Sequence, residues 1–553
     1  MKRILTCLVL VFVLCSWSVP GSAINGLWVH PESVIDQATA DKTLGQAQRS
    51  GIDNLYVLIF YRQQAWFHTD CCPMSAEVKD GFDPLGYCIR AAHKRGMKVH
   101  AWYVNGELGG DDKGYYATKH PDWMATDASG KQVLWFDFTN PDVRRFQRDL
   151  MVSAVKNYPQ LDGIHFDYIR YPYGSLGYGK SSAEAFRKET GKALISPPDG
   201  TKFPIRIDLS ANAMHGVTTG KTLAKFGTGL PAIVENRLGK GQVTFFNWHA
   251  EQSNSPILDS FLSSKLEAFG SKTRTVRLLV SEPNEKQYGP DLRGYAAGWL
   301  ARTGVKVVES KVDQCGVGDI LIVPCVYLWN AEEASALRRL VEAGMNVVWI
   351  DGLAEGKPDL LAVLGMDRPH GFFSARLTII PVVDDPALPM SADNRMLEEM
   401  EKQDQAWTRW PFDKLTDLVR DVYRSAKKAR PSVIVSAAVF HTKQSGESVL
   451  QDWSRWLSDG IIDYVIPMAY VDDPALSAAF DEWMQIPDWK SKVIPGLSIY
   501  THAGGRSVAK PADVVRRQVE MSAKRGSNGQ VYFCCHYISP QLEPVLRGGS
   551  SRK

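Results

Sequence analysis

The run Asp162-Gly-Ile-His-Phe-Asp167 ends a short apolar segment in a carboxylate, two residues beyond a histidine. In an extended strand alternate side chains face opposite ways, so Gly163, His165 and Asp167 share one face and Ile164 and Phe166 the other. The apolar pair suits a face packed on helices. His165 and Asp167 then point inward, with Asp167 uppermost. A carboxylate so placed can act as nucleophile or base, or stabilise an oxocarbenium-like transition state. Arg170 follows three residues later; it could pair with Asp167 and is costly to bury alone.

Glycosidic-bond chemistry usually needs a second carboxyl group. Asp472 lies two residues past Tyr470 and shares its parity with Met468, so it faces the same way if that strand extends so far. Glu107 and Asp137 are the other options, the first just after a strand, the second before Asn140-Pro141. Around these carboxylates His30, Trp102, Tyr103, His165, Tyr168, Arg170, Tyr470 and His536 fall at or near strand ends. There aromatic faces could stack on sugar rings while His and Arg bond hydroxyls. Trp28, Trp102, His30, His100 and His165 also suit interior packing. The histidines show no metal-ligand spacing, and neither a metal nor a cofactor is expected.

The elements that must position these groups recur in order. Short β-rich runs at Gly26–His30, Asn54–Phe60, Lys98–Val104 and Asp162–Asp167 alternate with helical stretches at 84–95 and 142–157. The rhythm returns with a helix at Trp410–Arg430 and strands at Val433–Val439, Tyr464–Tyr470, Val493–Ser498 and Gln530–Cys534. Four strands before the middle and four after it are the count for a (β/α)₈ TIM barrel, whose chemistry gathers at the C-terminal strand ends. The middle breaks the pattern. Val276–Val280, Val305–Val308, Ile320–Val323 and Met345–Ile350, linked by helical stretches, predict a doubly wound α/β domain inserted after strand 4. An insert entering there emerges on the catalytic face, where it walls one side of the cleft or mediates oligomer contacts. Pro197-Pro198 and Asp199-Gly200 would permit a flexible joint instead.

These readings divide the 553 residues into a signal peptide (1–23), two barrel halves (24–196 and 401–545), the insert (197–400) and a tail (546–553). Lys2 and Arg3, an apolar run from Ile4 to Leu14 and Gly21-Ser22-Ala23 predict cleaved export, to the periplasm or outside the cell. No later segment is apolar for long enough to span a bilayer. Net charge is +3, from 64 basic and 61 acidic residues with no long basic block, so a nucleic-acid partner is not expected. Two of the nine cysteines fall within the leader. An odd remainder at irregular spacing makes no framework, although Cys71 or Cys72 could bridge to Cys88.

Asp162-Gly-Ile-His-Phe-Asp-Tyr-Ile-Arg-Tyr-Pro172 resembles the fourth-strand signature of the glycosyl hydrolase-like ten family of bacterial barrels. Gly26-Leu-Trp-Val-His-Pro31, His100-Ala-Trp102, His120-Pro-Asp-Trp123, Asn140-Pro-Asp-Val-Arg144 and Pro467-Met-Ala-Tyr470 agree with it in order. The resemblance implies an exported enzyme acting on glycans, cell-wall glycan included. The same strand is similar to that of chitinases, but Ile169 stands where their acid would be, so that mechanism lacks its proton donor. The insert resembles the glutamine-amidotransferase-like domain beside some β-galactosidase barrels, through Asp319–Tyr327, Glu332–Gly344 and Val347–Ile350. Gly239–Phe246 resembles that domain's closing strand but comes first here. Cys325 lacks the glycine setting of a nucleophile elbow, so the insert reads as non-catalytic. The expectation is a glycoside hydrolase working through Asp167 and one of Asp472 and Glu107; the alternative is a carbohydrate-binding barrel without catalysis.

Overall fold

The computed structural model describes residues 23–109, 114–127, 130–172, 176–192, 205–352, 357–383, 385, 388, 394–503 and 506–548. Residues 1–22 of the expected leader, the 197–200 joint and the last five residues of the tail lie outside them. Eight parallel strands close on themselves: β1 (Ile24–Val29), β2 (Asn54–Tyr61), β3 (Lys98–Val104), β4 (Gly163–Asp167), β5 (Ile434–Phe440), β6 (Tyr464–Met468), β7 (Gly496–Ser498) and β8 (Gly529–Phe533). β1 pairs with both β2 and β8, which seals the barrel.

Parity sorts the side chains into two shells. Inside lie Trp28, Tyr56, Leu58, Trp102, Tyr464, Ile466 and Val531; outside, under the helices, lie Leu27, Leu55, Tyr103, Ile164 and Phe166. Tyr103 therefore packs against Phe67, with ring centroids 6.2 Å apart, and is fully buried away from the mouth. This corrects its expected role in binding: its neighbour Trp102 takes the inward position. Deep burial also defines the histidines. His165 Nε2 accepts from Trp28 Nε1 at 3.2 Å, so its proton sits on Nδ1, 2.9 Å from Ser436 Oγ. Both nitrogens are occupied one layer below the mouth, and burial holds the ring neutral. His165 is a core residue rather than a substrate ligand.

Between β4 and β5 the chain builds a second sheet of nine strands. Five are parallel neighbours, in the order Val308–Ser310, Val276–Leu279, Ile320–Val326, Asn346–Gly352 and Gly241–Phe246. Pro231–Leu238, Lys221–Phe226, Met366–Pro381 and Ile205–Val217 continue it antiparallel. One strand starts where it was expected to end, at Val308. Phe246, Trp248, Phe261 and Trp299 bury one face of the sheet under helices Pro256–Ala268 and Asp291–Arg302. Phe245, Trp349, Leu337 and Leu360 bury the other under Ala331–Ala343 and Pro358–Leu364.

The helix expected from Trp410 runs from Asn394 to Ala429, with Pro411 inside it. Thirty-six residues make about 54 Å of helix, far more than one barrel layer needs. Its C-terminal part packs on helix Pro141–Asn157. Its N-terminal part carries Asp404, buried, which accepts from Arg206 and from Thr378 N, both at 2.7 Å. One helix thus serves both sheets. Because it runs down towards the start of β5, its free end and the second sheet lie on the side of the C-terminal strand ends. Strand Met366–Pro381 packs there against helix Lys443–Glu447, which follows β5.

All seven described cysteines are free thiols, Cys71, Cys72 and Cys88 among them, contrary to the expected bridge. Cys88 sits on the buried face of helix Pro84–His93, in the core under the barrel. No helix among the described residues is long and apolar enough to cross a membrane.

Candidate active site

A cavity of about 330 Å³ opens at the C-terminal ends of the strands. Asp167 and Glu107 both line it, with Trp28, His30 and Trp102 on one side and Tyr168, Met468 and Tyr470 on another. Asp167 is 5% exposed. Its Oδ2 accepts from Trp102 Nε1 at 3.0 Å and its Oδ1 from Tyr168 N at 2.7 Å. Burial pushes its pKa up to about 6, against the opposing pull of the Tyr168 amide, Arg170 and Trp102.

The loop after β4 is held under strain. Tyr168 adopts φ +49°, a left-handed conformation that costs a residue with a Cβ on the order of 1–3 kcal/mol. What holds it is a cluster around Arg170. The guanidinium lies over the rings of Tyr168 (4.5 Å), Phe440 (5.0 Å) and Trp135 (5.6 Å). Trp135 Nε1 also donates to Arg170 O at 2.7 Å. Arg170 is thereby a half-buried cation packed among aromatics, close enough to favour the Asp167 anion.

Glu107 reaches the cavity because the chain after β3 turns across the barrel top. Phe136 N donates to Gly106 O at 2.8 Å, and Leu108 N to Leu134 O at 3.1 Å. Gly106 is required there: a Cβ would stand 2.5 Å from Tyr168 O and 2.4 Å from Trp135 Nε1. Asn105 ties this turn to β4, its amide donating to Asp167 O at 2.8 Å.

The other two carboxylates have different work. Asp472 caps helix Asp473–Trp483, accepting from Ala475 N at 3.0 Å, because β6 ends at Met468 before parity can carry Asp472 inward. It lines an adjoining cavity of about 610 Å³ rather than that of Asp167. Asp137 is 1% exposed and accepts from Thr139 N, Thr139 Oγ1, Tyr171 OH and Ser182 Oγ at 2.5–3.0 Å. It is a buried structural hub.

His30 and His536 stack at the rim with centroids 5.2 Å apart, and His536 Nε2 stands 3.2 Å from both Glu32 Oε1 and Ser33 Oγ. Tyr61, Tyr500 and Phe533 also line the main cavity and were not singled out from the sequence. Tyr470 and Tyr500 line both cavities, which therefore adjoin. Among the described residues, none from 205–381 lines either cavity.

Known proteins were compared with this chain. It is 29% identical over 226 residues to glycosyl hydrolase DigH of Escherichia coli K12, a stretch covering 37% of this chain and 49% of that protein. It is 29% identical over 199 residues to glycosyl hydrolase YngK of Bacillus subtilis, covering 34% and 38%. The matched stretches thus span about half, or less, of these curated relatives. Among solved structures, the PgaB (BpsB) glycoside hydrolase domain from Bordetella bronchiseptica aligns over 96% of this chain and 99% of its own, at TM-score 0.46 and 9% identity. A β-galactosidase from Bacillus circulans sp. alkalophilus aligns over 93% and 50%, at TM-score 0.42 and 12% identity. The profile of the glycosyl hydrolase-like 10 family matches residues 29–216 and 394–518, which hold the signature around Asp167 and strands β2 to β7. With more than half of its length matched, the chain belongs to the glycosyl hydrolase-like 10 family.

Proposed function

We propose that the protein is an exported glycoside hydrolase that cleaves a poly- or oligosaccharide at the barrel mouth. Asp167 is the proton donor and Glu107 the second carboxyl group. The observation that carries this reading is that two carboxyl groups line one aromatic-walled cavity at the C-terminal ends of the barrel strands. A carboxyl group whose pKa is raised to about 6 keeps its proton into the mildly acidic range and can protonate a leaving oxygen, while its more exposed partner serves as base or nucleophile. The adjoining 610 Å³ cavity, sharing Tyr470 and Tyr500, gives room for further sugar units. Relatives named glycosyl hydrolases support the reaction class. Export rests on the leader-like start of the sequence. The second sheet reads as an inserted amidotransferase-like module, supported by its parallel half with helices on both faces.

The test pairs two variants with two kinds of substrate. Asp167→Asn should lose turnover on natural glycans, yet keep most of it on dinitrophenyl glycosides, whose leaving group needs no proton. Glu107→Gln should lose both. Wild-type turnover in both variants would overturn the two roles, and glycan binding without turnover by the wild-type chain would establish a carbohydrate-binding barrel instead.

A further inference from the structure

Far from the barrel cleft in sequence, three neighbouring parallel strands of the second sheet end in chemistry. His249 follows Gly241–Phe246, Asp351 stands at the end of Asn346–Gly352, and Cys325 at the end of Ile320–Val326. Cys325 and Asp351 are buried, whereas the His249 side chain keeps 17% of its surface in solvent, so the group can be reached. Both buried residues are left-handed without being glycine, Cys325 at φ +40° and Asp351 at φ +53°. Strain repeated at one level of adjacent strands turns both side chains towards the same point, and such strain collects at functional sites.

The distances say what the point could hold. Tyr327 OH joins the three residues. Cys325 Sγ lies 3.5 Å from Asp351 Oδ2 and 3.2 Å from Tyr327 OH. His249 Nε2 lies 3.4 Å from both Asp351 Oδ2 and Tyr327 OH, and the last two atoms are 3.5 Å apart. Contacts of 3.4–3.5 Å between nitrogen and oxygen are long for hydrogen bonds, whose usual lengths are about 2.7–3.0 Å. His249 Nδ1 lies 3.5 Å from Cys325 Sγ, and separations of 3.2–3.5 Å are in the range between donors that share one zinc ion, whose bonds are about 2.0–2.2 Å to nitrogen and oxygen and about 2.3 Å to sulfur. His249, Cys325 and Asp351 each offer one ligand atom, all within 4.8 Å of one another.

We propose that His249, Cys325 and Asp351 bind a zinc-class divalent ion at the C-terminal edge of the second sheet, with the Tyr327 hydroxyl at the fourth corner. The mixed sulfur, nitrogen and oxygen donors select a borderline transition ion over calcium or magnesium. Binding forms the metal–sulfur bond as the Cys325 thiol proton leaves to solvent. No spacing in the sequence announces the site, because its ligands come from three separate strands.

The full chain, stripped with chelator and titrated with Zn²⁺ alone, should take up about one equivalent. Co²⁺ in its place should give a thiolate-to-metal charge-transfer band and the intense visible bands of a tetrahedral ion. Cys325→Ser should remove the charge-transfer band, and His249→Gln or Asp351→Asn should weaken Zn²⁺ binding about tenfold or more. Circular dichroism of each variant checks folding, and the wild-type cobalt spectrum stands without any variant. A wild-type chain with no such band, a band surviving Cys325→Ser, or iodoacetamide labelling of Cys325 at one rate with and without Zn²⁺ would each overturn the site.

Discussion

Trp102 Nε1 donates to Asp167 Oδ2 across the seam between β3 and β4, reaching up the sheet from the level of His165, since Trp102 pairs with His165 and Val104 with Asp167. The indole that floors the cavity is therefore also a donor to the carboxylate above it. That N–H stabilises the anion, whereas burial favours the acid, and burial wins.

Replacing Trp102 by Phe keeps most of the packing and removes the donor. The Asp167 pKa should rise further, by about one unit, since a hydrogen bond to a charged group contributes about 1.5–3 kcal/mol. With Asp167 as proton donor, the alkaline limb of kcat/KM should move to higher pH by that amount. An unmoved limb with a folded variant would show that Asp167 does not set it.

Stability should report the same group without any substrate. Burial pushes the Asp167 pKa up to about 6, against 3.8 for an ordinary aspartate, so the folded state holds its proton more tightly. The benefit is complete below the unfolded pKa and is lost as pH rises through the folded one. Asp167→Asn has nothing to titrate. Its loss of one acceptor towards Trp102 or Tyr168 adds a constant offset. Relative to wild type, the variant should therefore gain on the order of 2–3 kcal/mol between pH 4 and pH 7, read from denaturant unfolding at several pH values. A difference that stays flat across that window would refute the raised pKa.

Asp137 offers the contrasting case of a carboxylate spent on structure. Asn in its place can satisfy only part of the set formed by Thr139, Tyr171 and Ser182, leaving buried donors facing one another. Asp137→Asn should cost about 2–4 kcal/mol of stability while leaving the pH limbs of activity where they are. A shifted limb without loss of stability would return Asp137 to the chemistry.

Strand parity made the heart of the cleft legible. It put Asp167 inward and uppermost, and the same rule applied to β8 leads from Val531 to Phe533. It fails at Tyr61, because β2 carries a bulge between Leu58 and Phe60 that sends Phe60 outward and Tyr61 inward. At Tyr103 the rule holds, since parity turns that ring outward under the helices while Trp102 faces in. Glu107 could be named as a candidate, but what brings it in is the pairing of residues 106–108 with the 134–136 strand, a contact no local pattern records. Long helices hide in the same way: Asn394–Trp410 gains its order from Asp404 bonding Arg206 and from Trp407 and Trp410 packing on Phe186.

The two duties open to Asp472, cap and acid, are separable by one pair of substitutions. Ser accepts from a backbone N–H at an N-cap about as well as Asp does, but it cannot donate or hold a catalytic proton at working pH. Asp472→Ala removes the bond to Ala475 N and should cost about 1 kcal/mol of stability. Asp472→Ser should recover that stability and keep turnover near wild type, because the residue lines the adjoining cavity and caps Asp473–Trp483. Thermal melts and kcat on the same glycan read both effects. Were Asp472→Ser stable yet inactive by orders of magnitude, with Glu107→Gln still active, the second carboxyl group would be Asp472, and its side chain would have to leave the helix to reach the bond.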